Sequence, residues 1–309
     1  MSKVLIVGGA GYLGGALTDE LKHTANNVYV YDSLLFEDSY RKDINFIRGD
    51  IRDRELLKQW LDWADVVVWL AAIVGDGACA INPALSTEIN QESVKWLADN
   101  FNGRIIFMST CSVYGAKDGI LTEESDVNPL SIYASTKLTS EHYLHGKNAF
   151  ILRLGTLFGV SDTYSRLRMD LVVNTMTARA FAESKLKVFG GEQYRPLLHV
   201  KDAARCIAAN IDSQLTGVFN LHHENMKMLS LAHLVNTIVP AKIDIVETTF
   251  EDSRNYQVSS DKLGFETIYT VKDGIEEINS LLTEGRIKDV NNPRYSNQGF
   301  LEVVNVAVN

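Results

Sequence analysis

Val4-Leu5-Ile6-Val7-Gly8-Gly9-Ala10-Gly11-Tyr12-Leu13-Gly14 decides the fold. A short apolar run enters a turn with glycines at 8, 11 and 14, and helical spacing follows through Leu13, Ala16, Leu17 and Leu21. In a strand–turn–helix unit the first glycine permits the tight turn. The second lets a diphosphate approach the backbone, and the third lets the helix sit close on the strand. Exposed N–H groups at the helix start then hold the anion. The next strand, Val28–Tyr31, ends on Asp32. A carboxylate there accepts hydrogen bonds from a ribose diol and repels a 2′-phosphate. Ser33, Leu34 and Leu35 follow, with no cation to receive such a phosphate. This pattern indicates a dinucleotide seat that favours NAD over NADP; a plain strand-end cap is the other role open to Asp32.

Outward from the turn, strands are expected at Ile44–Arg48, Val66–Leu70, Ile105–Met108 and Phe150–Leu154. Helices are expected at 54–63, 86–100 and 132–145 between them. Val66–Leu70 has no polar face, as a parallel sheet covered on both sides requires. Alternating strands and helices mean an open, doubly wound α/β sheet. After about Gly155 the rhythm weakens into mixed helices (171–183, 201–210, 231–238) and short strands (186–189, 243–246). The expected organisation is a dinucleotide-binding unit over residues 1–155 and a smaller substrate lobe over 156–309, with residues near 200–211 returning to the first unit.

The chain has 309 residues, 46% hydrophobic and 22% charged, with a net charge of −9. That balance is globular, and it argues against a broad nucleic-acid or anionic-membrane surface. No apolar run reaches the roughly 18–20 residues needed to span a bilayer. The chain enters a strand at Val4, which leaves no room for a signal peptide. Cys79, Cys111 and Cys206 have no zinc spacing. A cytoplasmic protein with reduced thiols and no metal is expected. His222-His223-Glu224 resembles a metal cluster, but adjacent histidines on a strand point to opposite faces.

Tyr133-Ala134-Ser135-Thr136-Lys137 puts a phenol and an ammonium one helical turn apart. A nearby ammonium lowers a phenol pKa and suits Tyr133 to proton transfer near neutral pH. Upstream, Ser109-Thr110-Cys111-Ser112-Val113-Tyr114-Gly115 brings hydroxyls to the carboxyl end of a central strand, the edge where such sheets bind ligands.

Taken in order with Gly49-Asp50-Ile51, Leu70-Ala71-Ala72 and Arg195-Pro196-Leu197-Leu198-His199-Val200-Lys201-Asp202, these motifs resemble the extended short-chain dehydrogenases/reductases. Specifically, they resemble the NAD-dependent nucleotide-sugar epimerase/dehydratase family, over residues 3–285. The resemblance implies a Rossmann unit with a C-terminal substrate lobe. It implies that Thr110, Tyr133 and Lys137 are catalytic, with Tyr133 the acid/base and Lys137 its tuning cation on the nicotinamide ribose. It further implies that Gly8, Gly11, Tyr12, Leu13, Gly14, Asp32, Asp50, Ile51, Leu70, Ala71 and Ala72 serve the cofactor, with Asn90 the buried polar residue behind it. Ser112, Thr156, Arg168, Asn174, Arg195 and Arg254 would join Thr110 on a nucleoside-diphosphate sugar. Relatives form homodimers by packing the helices at 86–100 and 132–145 into a four-helix bundle.

Two departures narrow the chemistry. The 4,6-dehydratases carry Asp and Glu after the threonine, whereas Cys111 and Ser112 stand here. Neither suits both halves of a water elimination. The arginine that many members carry shortly before the Arg254 region is absent; Glu247-Thr248-Thr249-Phe250-Glu251 is acidic. The expected reaction is hydride transfer at C4 of a hexose or heptose, as a 4-epimerase or as a 4-dehydrogenase of the kind found in GDP-heptose-modifying relatives. The alternatives are a 4-ketoreductase and a non-catalytic NAD-binding sensor or scaffold. A decarboxylase would want a further carboxylate, for which only Asp76 offers itself, or an arginine that binds the substrate carboxylate.

Overall fold

The computed structural model describes residues 1–164, 166–246 and 255–304. Lys3–Val7 (β1), Asn27–Asp32 (β2), Asn45–Arg48 (β3), Val66–Trp69 (β4) and Arg104–Thr110 (β5) alternate with helices. These helices are Tyr12–Leu21 (α1), Arg54–Trp63 (α2), Asp76–Ile81 (α3), Pro83–Thr87 (α4) and Ser93–Asn100 (α5). The two-residue strand Ile120–Leu121 (β6) precedes Ile132–Leu144 (α6) and Ala149–Leu154 (β7). The second half supplies Thr156–Phe158 (β8), Val172–Glu183 (α7), Lys185–Phe189 (β9), Tyr194–His199 (β10) and Val200–Ala209 (α8). Gly217–Leu221 (β11), Glu224–Lys227 (β12), Met228–Ile238 (α9) and Lys242–Val246 (β13) follow. Gln257–Val258 (β14), Val271–Thr283 (α10) and Asn297–Val304 (α11) complete the described elements.

Seven strands form one parallel sheet in the order β11-β7-β5-β4-β1-β2-β3. This is the doubly wound sheet expected from the strand–helix alternation. All of β4, β5 and β7 are buried, because helices cover both faces. One face packs Val4, Ile6, Val68 and Ile106 under α1 and α8. The other packs Leu5, Val7, Val67 and Phe107 under α2 and α5. Trp60 and Trp63 join Tyr29 on that second face, with ring centroids 4.8–5.0 Å apart, and so cover the sheet as hydrocarbon. The seventh strand, β11, pairs with β7 although it lies more than sixty residues later in the chain.

The helix expected over 86–100 is divided. Asn82 caps α4 by accepting from Leu85 N, Pro83 opens the helix, and Glu88–Glu92 forms a π-helical turn before α5. The second lobe has its own core of Phe158, Val173, Leu186, Val188, Leu197, Leu231 and Ile275, between the β8–β10–β12 sheet and helices α7, α9 and α10. Among the described residues, no helix is long and apolar enough to cross a membrane.

Candidate active site

The glycine turn has the shape that its spacing demands. Gly8 has φ +85°, and a Cβ there would stand 2.4 Å from Ala71 N. A Cβ on Gly14 would fall 2.3 Å from Gly9 O, so α1 lies hard against the turn. Gly11 begins α1 with no side-chain cap and no acidic residue in the first turn. Its end is therefore left to an anion, and the chain fits a dinucleotide diphosphate at this place. Asp32 accepts from Ala10 N (3.0 Å) and Leu34 N (2.8 Å), bracing the turn from below. Burial still pushes its carboxyl above the ordinary range, which those two bonds oppose.

This turn opens into a cleft of about 1010 Å³. Gly8, Gly11, Tyr12, Leu13, Gly14, Asp32, Asp50, Ile51, Leu70, Ala71 and Ala72 all line it. So do Thr110, Ser112, Tyr133, Lys137, Thr156, Arg168 and Arg195. The first and second halves of the chain thus share one cavity. Asp50 is gripped by Arg52 (2.7 Å), whose side chain also borders the cleft. Tyr12 reaches the other lobe, donating to Gly159 O at 2.7 Å.

One expected residue is arranged differently. Asn174 is fully buried and lies outside the cleft. Its amide accepts from Gly159 N (2.9 Å) and donates to Arg168 O (2.8 Å), so it shapes the loop behind the site and presents nothing to a substrate. Asn90 is also outside the cleft: it accepts from Ile73 N and donates to Ile73 O, both at 2.8 Å. The π-helical turn aims that amide at the strand end, so Asn90 supports the cofactor wall without touching the cavity. Arg254 lies outside the described residues.

The hydroxyls at the carboxyl end of β5 form a chain. Thr110 Oγ1 donates to Ser112 Oγ at 3.1 Å, and Ser112 Oγ lies 3.4 Å from Tyr256 OH. Tyr256, buried in the same cleft beneath the Arg195 guanidinium at 5.8 Å, belongs to none of the sequence motifs. Its only signal in the sequence is its place two residues after the candidate Arg254. Cys111 is turned away, fully buried, with its thiol donating to Arg153 O at 3.1 Å. Burial pushes that thiol's pKa up, which removes it from acid/base work.

Tyr133 and Lys137 meet one expectation and correct another. Both border the cleft from α6, whose N-terminus Ser131 caps by accepting from Ala134 N. The Lys137 ammonium, however, donates to Met108 O (2.8 Å) and stands 4.8 Å from the Phe107 ring centroid. Burial pulls its pKa down to about 8. Burial also pushes the Tyr133 phenol up, aided by Cys79 and Asp76, and the cation that opposes this is Arg168. Arg168 is itself held by Asp170 (2.6 and 3.1 Å). Asp76 accepts from Ser131 Oγ at 2.7 Å. The histidine pair belongs to second-lobe loops: His222 bonds Ser260 (2.6 Å) and His223 bonds Thr267 (2.8 Å).

Comparison with known proteins agrees with this geometry. The chain is 28% identical over 232 residues to the uncharacterized UDP-glucose epimerase YtcB of Bacillus subtilis, covering 67% of this chain and 72% of that protein. It is 27% identical over 301 residues to UDP-glucuronic acid decarboxylase 4 of Arabidopsis thaliana, covering 88% and 67%. A UDP-glucuronic acid 4-epimerase from Bacillus cereus, solved with UDP-glucuronic acid and NAD, superimposes with a TM-score of 0.78. That match has 24% identity and covers 91% of this chain and 99% of that one. Relatives thus include epimerases, decarboxylases and, further on, a dTDP-glucose 4,6-dehydratase. The family description "NAD dependent epimerase/dehydratase" matches residues 4–221, and the chain belongs to that family of nucleotide-sugar enzymes.

Proposed function

We propose that this enzyme binds NAD and oxidises C4 of a nucleoside-diphosphate sugar, then returns the hydride to the other face as a 4-epimerase. The observation that carries this reading is one cavity shared by the glycine turn, the Thr110–Ser112 hydroxyls and Tyr133, with the neighbouring thiol turned out of it. Bound NAD would take up and return the hydride. Thr110 and Ser112 would hold the C4 oxygen by hydrogen bonds while Tyr133 accepts its proton. Because burial opposes the phenolate, Arg168 supplies the favourable charge, and Lys137 extends from the same helix face toward Met108. A 4,6-dehydration would also need an acid and a base at C5 and C6. With Cys111 sealed under Arg153 O, residues 111–112 supply neither.

Arg168 favours one second reading. A buried guanidinium beside Tyr133 suits a uronic acid, and a 4-keto uronate is a β-keto acid that can lose carbon dioxide. A homodimer through α5 and α6 is also proposed, since the half-buried Trp96 and Tyr143 stand on these adjoining helices. Light scattering on the purified protein tests it.

Mass spectrometry and NMR of products from UDP-, GDP-, CDP- and dTDP-sugars test the reaction. An epimer of unchanged mass is expected. A loss of two hydrogens would mean a dehydrogenase, a loss of carbon dioxide the second reading, and a loss of water would overturn both. Tyr133→Phe should cut turnover by about 10²–10⁴-fold while NAD still binds. Near wild-type turnover in that variant would move the acid/base elsewhere.

A further inference from the structure

The chain's last described stretch, Pro293–Val304, lies beyond the residues that the family description matches and borders the cleft through Ser296, Asn297, Gln298 and Leu301. Its attachments fall on both sides of the glycine turn. Arg294 pairs with Asp38 at 3.0 Å and Phe300 packs on Phe36 with centroids 5.0 Å apart, both on the loop after β2. Asn297 Nδ2 donates to Val74 O at 2.8 Å, and Gln298 fills the space beside Gly77, both after β4. In the sheet β1 runs between β4 and β2, so a segment fastened to both of those loops passes over the end of β1. The turn after β1 is the diphosphate seat.

Asn297 is the knot of this segment. It is 5% exposed and joins three parts of the chain. Besides the bond to Val74, its backbone N–H donates to Asp170 Oδ2 at 2.8 Å, and its Oδ1 accepts from Arg166. Arg166 lies over the Phe36 ring at 4.0 Å, and Asp170 holds Arg168. One buried amide thus ties the second lobe's arginine segment to the dinucleotide-binding lobe across the mouth of the cleft.

We propose that α11 is a strap over the bound dinucleotide and that Asn297 is the positioning residue which keeps it closed, so that the cofactor leaves only when the strap lifts. The strap therefore retains the cofactor between successive sugars, which favours an enzyme that recycles its hydride over one that exchanges cofactor each turn. That last step rests on the proposed function; the strap itself does not.

The test is the release rate of NADH from the full chain, followed by nicotinamide fluorescence after a chase of excess NAD, with no sugar present. Asn297→Ala loses the side-chain bonds to Val74 and Arg166 and should release NADH about tenfold faster or more, with little change in the association rate. A second variant works in the opposite direction. A Cβ at position 77 would stand 3.5 Å from Gln298 Cγ, the atom whose place a cysteine sulfur would take, so the two positions are within reach of a disulfide. Gly77→Cys with Gln298→Cys, loaded with NADH and then oxidised, should release it several-fold more slowly than when reduced. A misfolded protein cannot produce that reversible slowing. Equal rates in the oxidised and reduced states, with the cross-link confirmed by mass, would overturn the strap. Unchanged release from a folded Asn297→Ala would overturn the role of Asn297. Because sugar is absent, neither result depends on which reaction the enzyme performs.

Discussion

Beneath the carboxyl end of β5 and along the cleft wall beside it lie two sets of polar groups, both largely buried and oppositely treated. Beneath the strand, Arg153 gives three bonds to Glu141 (3.0, 3.2 and 2.7 Å) and one to Tyr114 OH (2.9 Å). Tyr114 donates on to Asn220 at 2.8 Å, and Asn220 reaches Ser259 O at 3.0 Å. Ser109 adds a hydrogen bond to Glu141. On the wall, Lys137 has one carbonyl for its ammonium, and Arg166 Nη1 has no partner among the described residues. The pKa of Arg166 falls to about 10 through burial and the nearby Arg168. The difference separates scaffold from site. Charge answered within the protein fixes a strand end, whereas charge left partly unanswered beside a cavity is ready for a ligand.

The sharpest way to break this contrast is to unbalance the floor. Glu141→Gln leaves the Arg153 charge buried without its carboxylate and should destabilise the protein by about 3–5 kcal/mol in urea unfolding. Replacing both partners, Glu141→Leu with Arg153→Met, should recover most of that loss. A loss for the pair as large as for the single variant would mean that the floor is not a mutually compensated unit.

The wall should respond with the opposite sign. Burial lowers the Lys137 pKa from 10.5 to about 8. Between those values the unfolded chain holds a proton that the folded chain has released, so this group's contribution to stability rises with pH from 8 toward 10.5. Lys137→Met should therefore be more stable than wild type at pH 7, by something on the order of 3 kcal/mol for such a shift. The gap should narrow toward pH 10.5, while turnover is lost at every pH. Melting curves across that range check it, and a variant less stable at pH 7 would place Lys137 with the floor.

The smallest effect concerns Asp32, which both braces the turn and faces the cleft. Wild type should bind NADH more tightly than NADPH, and Asp32→Ala should narrow that preference by about tenfold, the worth of one charge-assisted bond. Fluorescence titration of both cofactors measures it. An unchanged ratio would reduce Asp32 to a brace.

What could be read in advance follows the same division. The glycine spacing and the Tyr133–Lys137 step are local, and backbone geometry turns each directly into a position in space. Asn174 is not legible as a support, because an amide's facing depends on the loop it closes, here at Gly159, whereas the family resemblance already sets Asn90 behind the cofactor and its amide bonds Ile73. The Tyr133–Lys137 spacing predicts a phenol pKa lowered by Lys137. Desolvation, which no spacing reveals, dominates and raises it, and the cation that lowers it is Arg168, from another lobe. Tyr256 and Asn297 reach the cleft through pairings more than a hundred residues apart, Ser112 with Tyr256 and Asp170 with Asn297, and contacts at that range leave no periodic trace.

The position of β11 has a consequence in time. As the chain emerges from a ribosome, the first six strands of the large sheet are complete by Leu154, but the outer edge of β7 then has no neighbour until Gly217–Leu221 arrives. Through that interval a strand that is apolar except for Arg153 offers open N–H and C=O groups to any other chain, the condition under which sheets pair wrongly. A nascent chain stalled between residues 155 and 216 would thus be the most aggregation-prone form of this protein, and its two lobes mature as one event because the later half carries the strand that seals the earlier one.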